Sequence, residues 1–232
     1  MTSPLFIIQN DPAVPPGIIT GLLEKRRVPF RVIRPFDGEP LPIPGEAAAV
    51  IVLGGAMGVG DADRYPFLLE VKGVIRGCHD RDIPFLGICL GGQLLAATLG
   101  GEVAANSHGE KGICRVTLTG EGVEDPLFAG IERNFVTFQW HNDSFDLPPG
   151  CLLLASSPGC PHQTVRHGAC VYGVQFHPEV NAAIVKAWSD TVARKTGATH
   201  DHLADFLRAE EEYLVSSRTL LDNFLRIACL VS

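Results

Sequence analysis

The stretch Gly87-Ile88-Cys89-Leu90-Gly91-Gly92-Gln93 constrains this chain more than any other. It follows Ile83-Pro84-Phe85-Leu86, which reads as a buried strand, and precedes Leu94, Leu95, Ala96, Ala97 and Leu99, which are spaced as in a helix. Strand, tight turn and helix in this order belong to an α/β domain. Glycines on both sides of the turn permit a sharp bend, so the apex residue, Cys89, stands proud of the sheet. The apex is also a helix N-terminus, whose partial positive charge suits an anionic sulfur. Cys89 is therefore placed to attack a carbonyl carbon.

The flanking sequence extends the α/β pattern. Leu5 to Ile8, Phe30 to Ile33 and the continuous apolar run Ala48 to Leu53 read as strands, the last buried on both faces. Ile18, Ile19, Leu22 and Leu23 follow Pro15-Pro16-Gly17 and predict a helix, and a second helix is expected over Tyr65 to Cys78. Between Gly101 and Val174 the runs are short and alternating, as in Cys114-Arg115-Val116-Thr117-Leu118, and predict antiparallel hairpins added to the sheet. From about Val180 to Leu230 the pattern is helical, with a break at Gly197. The expected fold is α/β: a mostly parallel central sheet flanked by helices, with an added antiparallel β region. Ligands in such sheets gather at the carboxyl ends of the parallel strands. Gly54, Cys89 and His177 all follow strand ends, so the three can converge.

A cysteine nucleophile needs a base, and the base needs a group to orient it. Gly173-Val174-Gln175-Phe176-His177-Pro178-Glu179 supplies both. Cys170 to Phe176 reads as a strand with His177 at its end, and Glu179, two residues on, falls on the same side. Pro178 suits a strand terminus, since it cannot donate to a ladder.

Together, Gly87-Ile88-Cys89-Leu90-Gly91 and Phe176-His177-Pro178-Glu179 resemble the class I (triad) glutamine amidotransferases over roughly residues 5 to 190. The loop Gly54 to Val59, followed by Asp61-Ala62-Asp63-Arg64-Tyr65-Pro66, is similar to the stand-alone GMP synthase-like members. The resemblance implies the flavodoxin-like fold of that family, a domain over residues 1–195 and a C-terminal helical extension over 196–232. It also implies a catalytic triad, with Cys89 as nucleophile forming a γ-glutamyl thioester, His177 as base and acid, and Glu179 as orienter. Gly54 or Gly55, with the N–H of Leu90, would line the oxyanion hole. Gln93 would contact the substrate glutamine. Asn142 and Asp143, in Trp140-His141-Asn142-Asp143, are candidates for its α-amino and α-carboxylate ends. His141 is expected to fix its loop by hydrogen bonds rather than act as a rival base. Glu110 and Gly112 resemble the family's Glu-x-Gly before a β-run, and a charged hairpin turn explains them nearly as well. Gly92 weakens the first helical turn, for which close packing on substrate or sheet is the expected reason.

Composition narrows the function classes. The net charge of −7, with no basic run, argues against a nucleic-acid partner. Seven cysteines without pairing or metal-ligand spacing fit a reducing compartment, so a cytoplasmic location is expected and no metal or cofactor is. Met1-Thr2-Ser3-Pro4 does not read as a signal peptide, and no apolar run is long enough to span a membrane. The Gly54-Gly55 loop lacks the lysine and Ser/Thr of a phosphate loop, and no Ser-Gly-Gly-x-Asp nucleotide loop occurs. Three functions follow from the resemblance. The first is a glutaminase that releases ammonia from L-glutamine for a separate synthase subunit. The second is a hydrolase or transferase of γ-glutamyl peptides or conjugates using the same triad. The third is a non-enzymatic regulatory module, which the complete Cys-His-Glu set disfavours.

Overall fold

The computed structural model describes residues 3–231. In chain order its elements are β1 (Leu5–Ile8), α1 (Ile18–Arg26), β2 (Phe30–Ile33), β3 (Ala49–Val52), α2 (Phe67–His79), β4 (Phe85–Ile88), α3 (Leu90–Thr98) and β5 (Val103–Ala104). They continue with β6 (Glu110–Leu118), α4 (Gly120–Glu124), β7 (Asn134–His141), β8 (Ser144–Phe145), β9 (Leu152–Ser156), β10 (Thr164–His167), β11 (Val171–Val174), α5 (Ala182–Thr196) and α6 (His202–Ile227). Several short 3-10 turns join them.

A nine-stranded sheet in the order β2-β1-β3-β4-β11-β10-β9-β6-β7 forms the frame. The strands from β2 to β11 run parallel, and β11, β10, β9, β6 and β7 pair antiparallel. The expected parallel sheet with an antiparallel addition is thus observed; β5 and β8 form a small second sheet. The strand alternation decides which helices cover which face. Leu5, Ile7, Ala49, Ile51, Leu86 and Ile88 point into a core shared with α1, α5 and α6. Ile8, Val50, Val52 and Phe85 point the other way, against α2 and α3. Burial on both faces explains why these strands read as unbroken apolar runs.

The element boundaries shift for identifiable reasons. The expected helix from Tyr65 begins at Phe67, because Pro66 occupies the cap and disfavours helical backbone in the residue before it. The expected strand Cys170–Phe176 shortens to β11, Val171–Val174. Its partner β4 ends where Cys89 turns away, and beyond it Gln175 N donates to Gln163 O (2.8 Å) and His177 N to Phe138 O (2.8 Å). The break at Gly197 is a left-handed C-cap of α5 with φ 70°.

The C-terminal helix is packed into the main core rather than hung on the surface. Asp201 caps α6 by accepting from Ala204 N (2.9 Å). Phe206, Tyr213, Leu220, Leu221, Phe224 and Leu225 on its inner face are buried with Phe138 of β7 and Trp188 of α5. Phe206 meets Phe138 edge-on at 5.8 Å between ring centroids. We propose that residues 196–232 are a helical extension of the 1–195 domain that unfolds with it. Phe206→Ala is then expected to cost about 3–5 kcal/mol in urea unfolding monitored by circular dichroism, in one transition. An extension that melts independently would give two transitions and leave the second midpoint unmoved.

Candidate active site

The turn after β4 holds Cys89 at φ 51° and ψ −108°, a region that side-chain-bearing residues rarely occupy. Such strain costs about 1–3 kcal/mol and persists only where surrounding packing imposes it. Here the packing is backbone against backbone. A Cβ on Gly91 would collide with the Val52 carbonyl of β3, and one on Gly87 with the Gly91 carbonyl. A Cβ on Gly92 would come within 2.8 Å of Val174 O in β11, so this glycine exists for packing on the sheet. Cys89 N donates to Val174 O (2.8 Å), and Cys89 O accepts from Gln93 N (2.9 Å), fixing the apex at the N-cap of α3.

His177 and Glu179 face this apex. The Nδ1 atom of His177 lies 2.7 Å from Glu179 Oε1, with both residues buried. A carboxylate only accepts, so Nδ1 carries the hydrogen and Nε2 is left to face the cysteine. Nε2 has no hydrogen-bond partner of good geometry among the described residues. Burial opposes the imidazolium, but the neighbouring Glu179 and Cys89 outweigh it, and His177 is raised above the usual histidine range. The turn is clamped from several sides. Glu179 O accepts from Ile18 N (2.8 Å) at the start of α1. The buried Tyr213 hydroxyl of α6 reaches His177 O (3.0 Å) and Val180 O (3.1 Å), and burial pushes its phenol far up, so it stays a donor. The Trp188 indole of α5 stands edge-on to the imidazole at 5.0 Å and donates to Ala13 O (2.7 Å).

The glycine loop after β3 closes the third side. A side chain at Gly54 would come within 3.1 Å of His177 Cε1 and 3.5 Å of Cys89 Cβ, and one on Gly55 would strike Met57 and Leu90. Asn10 Nδ2 donates to Leu53 O (2.7 Å) and Asp11 Oδ2 accepts from Ala56 N (3.0 Å), holding the loop from β1. Among the described residues, the amides of Gly54, Gly55 and Leu90 have no acceptor.

These elements border a cleft of about 440 Å³ lined by Gly55, Met57, Cys89, Gln93, Asp143 and His177, and also by Trp140, Trp188, Lys111 and Lys195. Asn142 and Asp143 also border it, and Asp143 Oδ1 accepts from Asn106 N (2.9 Å). Gln93 is buried and committed elsewhere: its amide donates to Asp143 O (3.1 Å) and Gln175 Oε1 (3.3 Å). His141 Nδ1 lies 3.0 Å from the same Asp143 carbonyl, so His141 fixes its loop. Glu110 begins β6 and accepts from Ser157 Oγ (2.8 Å) and Gln163 Nε2 (2.6 Å). The sequence pointed to neither Gln175, whose Nε2 lies 3.7 Å from Cys89 Sγ, nor Trp188. Burial pushes the thiol of Cys78 up to about 12 and those of Cys114 and Cys151 to about 11, and raises Cys160 and Cys170 too, so these five stay protonated at neutral pH. Among the described residues no helix is long and apolar enough to cross a membrane.

The family model "Glutamine amidotransferase class-I" matches residues 22–185. A glutamine-hydrolyzing GMP synthase subunit of Thermococcus kodakarensis is 40% identical over 101 residues, covering 43% of this chain and 52% of that protein. The putative glutamine amidotransferase-like protein YfeJ of Salmonella typhimurium is 40% identical over 101 residues, covering 44% and 42%. The match thus spans about half the length of these curated relatives. A glutamine amidotransferase from Thermotoga maritima superposes with a TM-score of 0.87 at 29% identity, covering 98% of this chain and 99% of its own. One from Methylobacillus flagellatus superposes with a TM-score of 0.86 at 26% identity, covering 100% and 96%. With the family model spanning most of the sheet and the fold shared end to end, this chain belongs to the class I glutamine amidotransferases, a family of amide hydrolases.

Proposed function

We propose that this protein hydrolyses the side-chain amide of L-glutamine through a γ-glutamyl thioester on Cys89 and passes the ammonia to a separate synthase. The observation that carries this reading is the buried 2.7 Å Nδ1–Oε1 contact of His177 and Glu179, which leaves Nε2 unpartnered beside the strained cysteine. The names of the curated relatives, which describe a glutamine-hydrolyzing component of a GMP synthase made of more than one chain, support both the substrate and the partner.

In this mechanism His177 Nε2 holds the proton given up by the Cys89 thiol, and the sulfur attacks the amide carbon. The carbonyl oxygen becomes an oxyanion, stabilised by the amides of Gly55, or Gly54, and Leu90. Collapse breaks the C–N bond, and His177 returns the proton to nitrogen, so ammonia leaves and the thioester remains. Water, deprotonated by His177, then attacks the thioester, giving glutamate and restoring the thiol. Glu179 holds the ring orientation and supports its charge. Asp143, with one carboxylate oxygen tied to Asn106 N, is placed to accept from the α-amino group, and Asn142 to donate to the α-carboxylate. Gln93 acts through the Asp143 carbonyl it supports.

One observation favours the second reading, γ-glutamyl peptides or conjugates. The cleft of about 440 Å³ falls among sites that hold drug-sized ligands. Its lining includes Trp140 and two lysines, Lys111 and Lys195, which suit a larger leaving group with a carboxylate. Measuring glutamate release from glutamine and from γ-glutamyl peptides separates the two. A synthase-dependent glutaminase turns over both slowly while a glutamine-like chloroketone still labels Cys89. Rapid, partner-free hydrolysis of a γ-glutamyl peptide establishes the second reading instead.

Cys89→Ser is expected to lower kcat by about 10⁴-fold or more, whereas Cys114→Ser leaves it unchanged; equal losses would remove Cys89 from the mechanism. The pH profile tests the His177–Glu179 pair. Since the histidine is raised, the imidazolium that protonates the departing amide nitrogen persists through neutral pH and is lost only as pH rises through that elevated value. Glu179→Gln removes the larger of the two raising charges, so the alkaline limb of kcat/KM should move to lower pH. An unmoved limb would show that Glu179 does not set the histidine's charge.

A further inference from the structure

Behind the cleft, three side chains far apart in sequence meet. One oxygen of Glu110, a ring nitrogen of His141 and the Cys160 sulfur all lie within 4.8 Å of one another, and His141 Nε2 is 3.7 Å from Glu110 Oε2. His141 and Cys160 are buried, the His141 side chain being 1% exposed. The polarity of the histidine is set by its far side. Nδ1 faces the Asp143 carbonyl at 3.0 Å, and a carbonyl only accepts, so Nδ1 carries the hydrogen and the neutral ring directs the Nε2 lone pair inward. Yet among the described residues Nε2 has no hydrogen-bond partner. A buried, orphaned imidazole lone pair aimed at a carboxylate and a thiol, with its other nitrogen bonded to a backbone carbonyl, is the arrangement a metal-ligating histidine adopts.

The other two groups are held as ligands would be. Ser157 Oγ and Gln163 Nε2 donate to the Glu110 carboxylate at 2.6 to 2.9 Å and orient it. Cys160 Sγ has the Ser144 hydroxyl at 3.3 Å and the His162 carbonyl at 3.8 Å. We propose that Glu110, His141 and Cys160 bind a divalent cation of intermediate softness, with zinc as the fitting member. One sulfur, one imidazole nitrogen and one carboxylate oxygen form a zinc donor set, and three protein ligands leave a fourth position for water. On binding, the Cys160 S–H bond breaks, its proton goes to solvent and a sulfur–metal bond forms.

The site ties the start of β6, the end of β7 and the turn before β10 into one unit. Asn142 and Asp143 follow His141 directly, so the metal stiffens the loop that borders the cleft. Sequence reasoning expected no metal, because ligands at positions 110, 141 and 160 show none of the close spacing by which zinc sites are read. The inference stands independently of the proposed reaction.

The test is metal uptake by the chelator-stripped protein, followed with Co²⁺ as the spectroscopic probe and with Zn²⁺ by mass spectrometry. An equimolar uptake is expected, with a thiolate-to-cobalt charge-transfer band and a zinc-dependent rise in Tm. Cys160→Ser should abolish the band and weaken zinc binding by more than about 100-fold, Glu110→Gln should weaken binding while keeping the band, and Cys151→Ser should change neither. If the wild-type protein takes up no cobalt, or keeps the band after Cys160→Ser, the site does not exist. Because the wild-type titration decides by itself, a variant that fails to fold does not rescue the proposal.

Discussion

The close approach of the first turn of α3 to the sheet is the constraint on which the site depends. Gly91 lies against the Val52 carbonyl and Gly92 against Val174 O, contacts that no side chain would allow. With the helix seated that deeply, the chain can pass from β4 into α3 only through the strained φ of Cys89. The sulfur is lifted to the carboxyl edge of the sheet, and the Leu90 amide is left without an acceptor beside it. The proposed nucleophile and the proposed anion-binding amide thus come from one packing decision, made in backbone where neither can relax away.

The second requirement is a histidine whose charge can change while buried. Burial alone would disfavour the imidazolium, and the fully buried Glu179 overrides it at 2.7 Å. A buried pair of this kind works only in fixed geometry. The fixing comes from outside the parallel sheet: α1 through Ile18 N, α5 through Trp188 and α6 through Tyr213. The C-terminal helix therefore reaches the back of the proposed triad through the backbone carbonyl of His177.

Much of this was legible in the residues. The parallel strands announced themselves as apolar runs because each is buried on both faces, and the turn at Cys89 because only glycine tolerates its neighbours. His177 and Glu179 were readable as a pair because two residues separate them at a strand end. Gln93 shows where reading by resemblance was incomplete. It borders the cleft as expected, but its amide is spent on the Asp143 carbonyl and Gln175, so it supports the loop. Strand ends were misjudged at β11, because its length is set by where β4 turns away, a fact located in another part of the chain.

Sequence alone determined the class of fold, the tight turn that carries Cys89 and the pairing of His177 with Glu179. Each of these is a local pattern, governed by side-chain alternation or by the backbone freedom of glycine. Tertiary structure alone decided what surrounds them: the indole of Trp188 against His177, Gln175 beside Cys89, Tyr213 under the His-Pro-Glu turn, and the meeting of Glu110, His141 and Cys160. These residues come from elements distant in sequence, and their contacts follow from strand order and helix seating, which no spacing along the chain encodes.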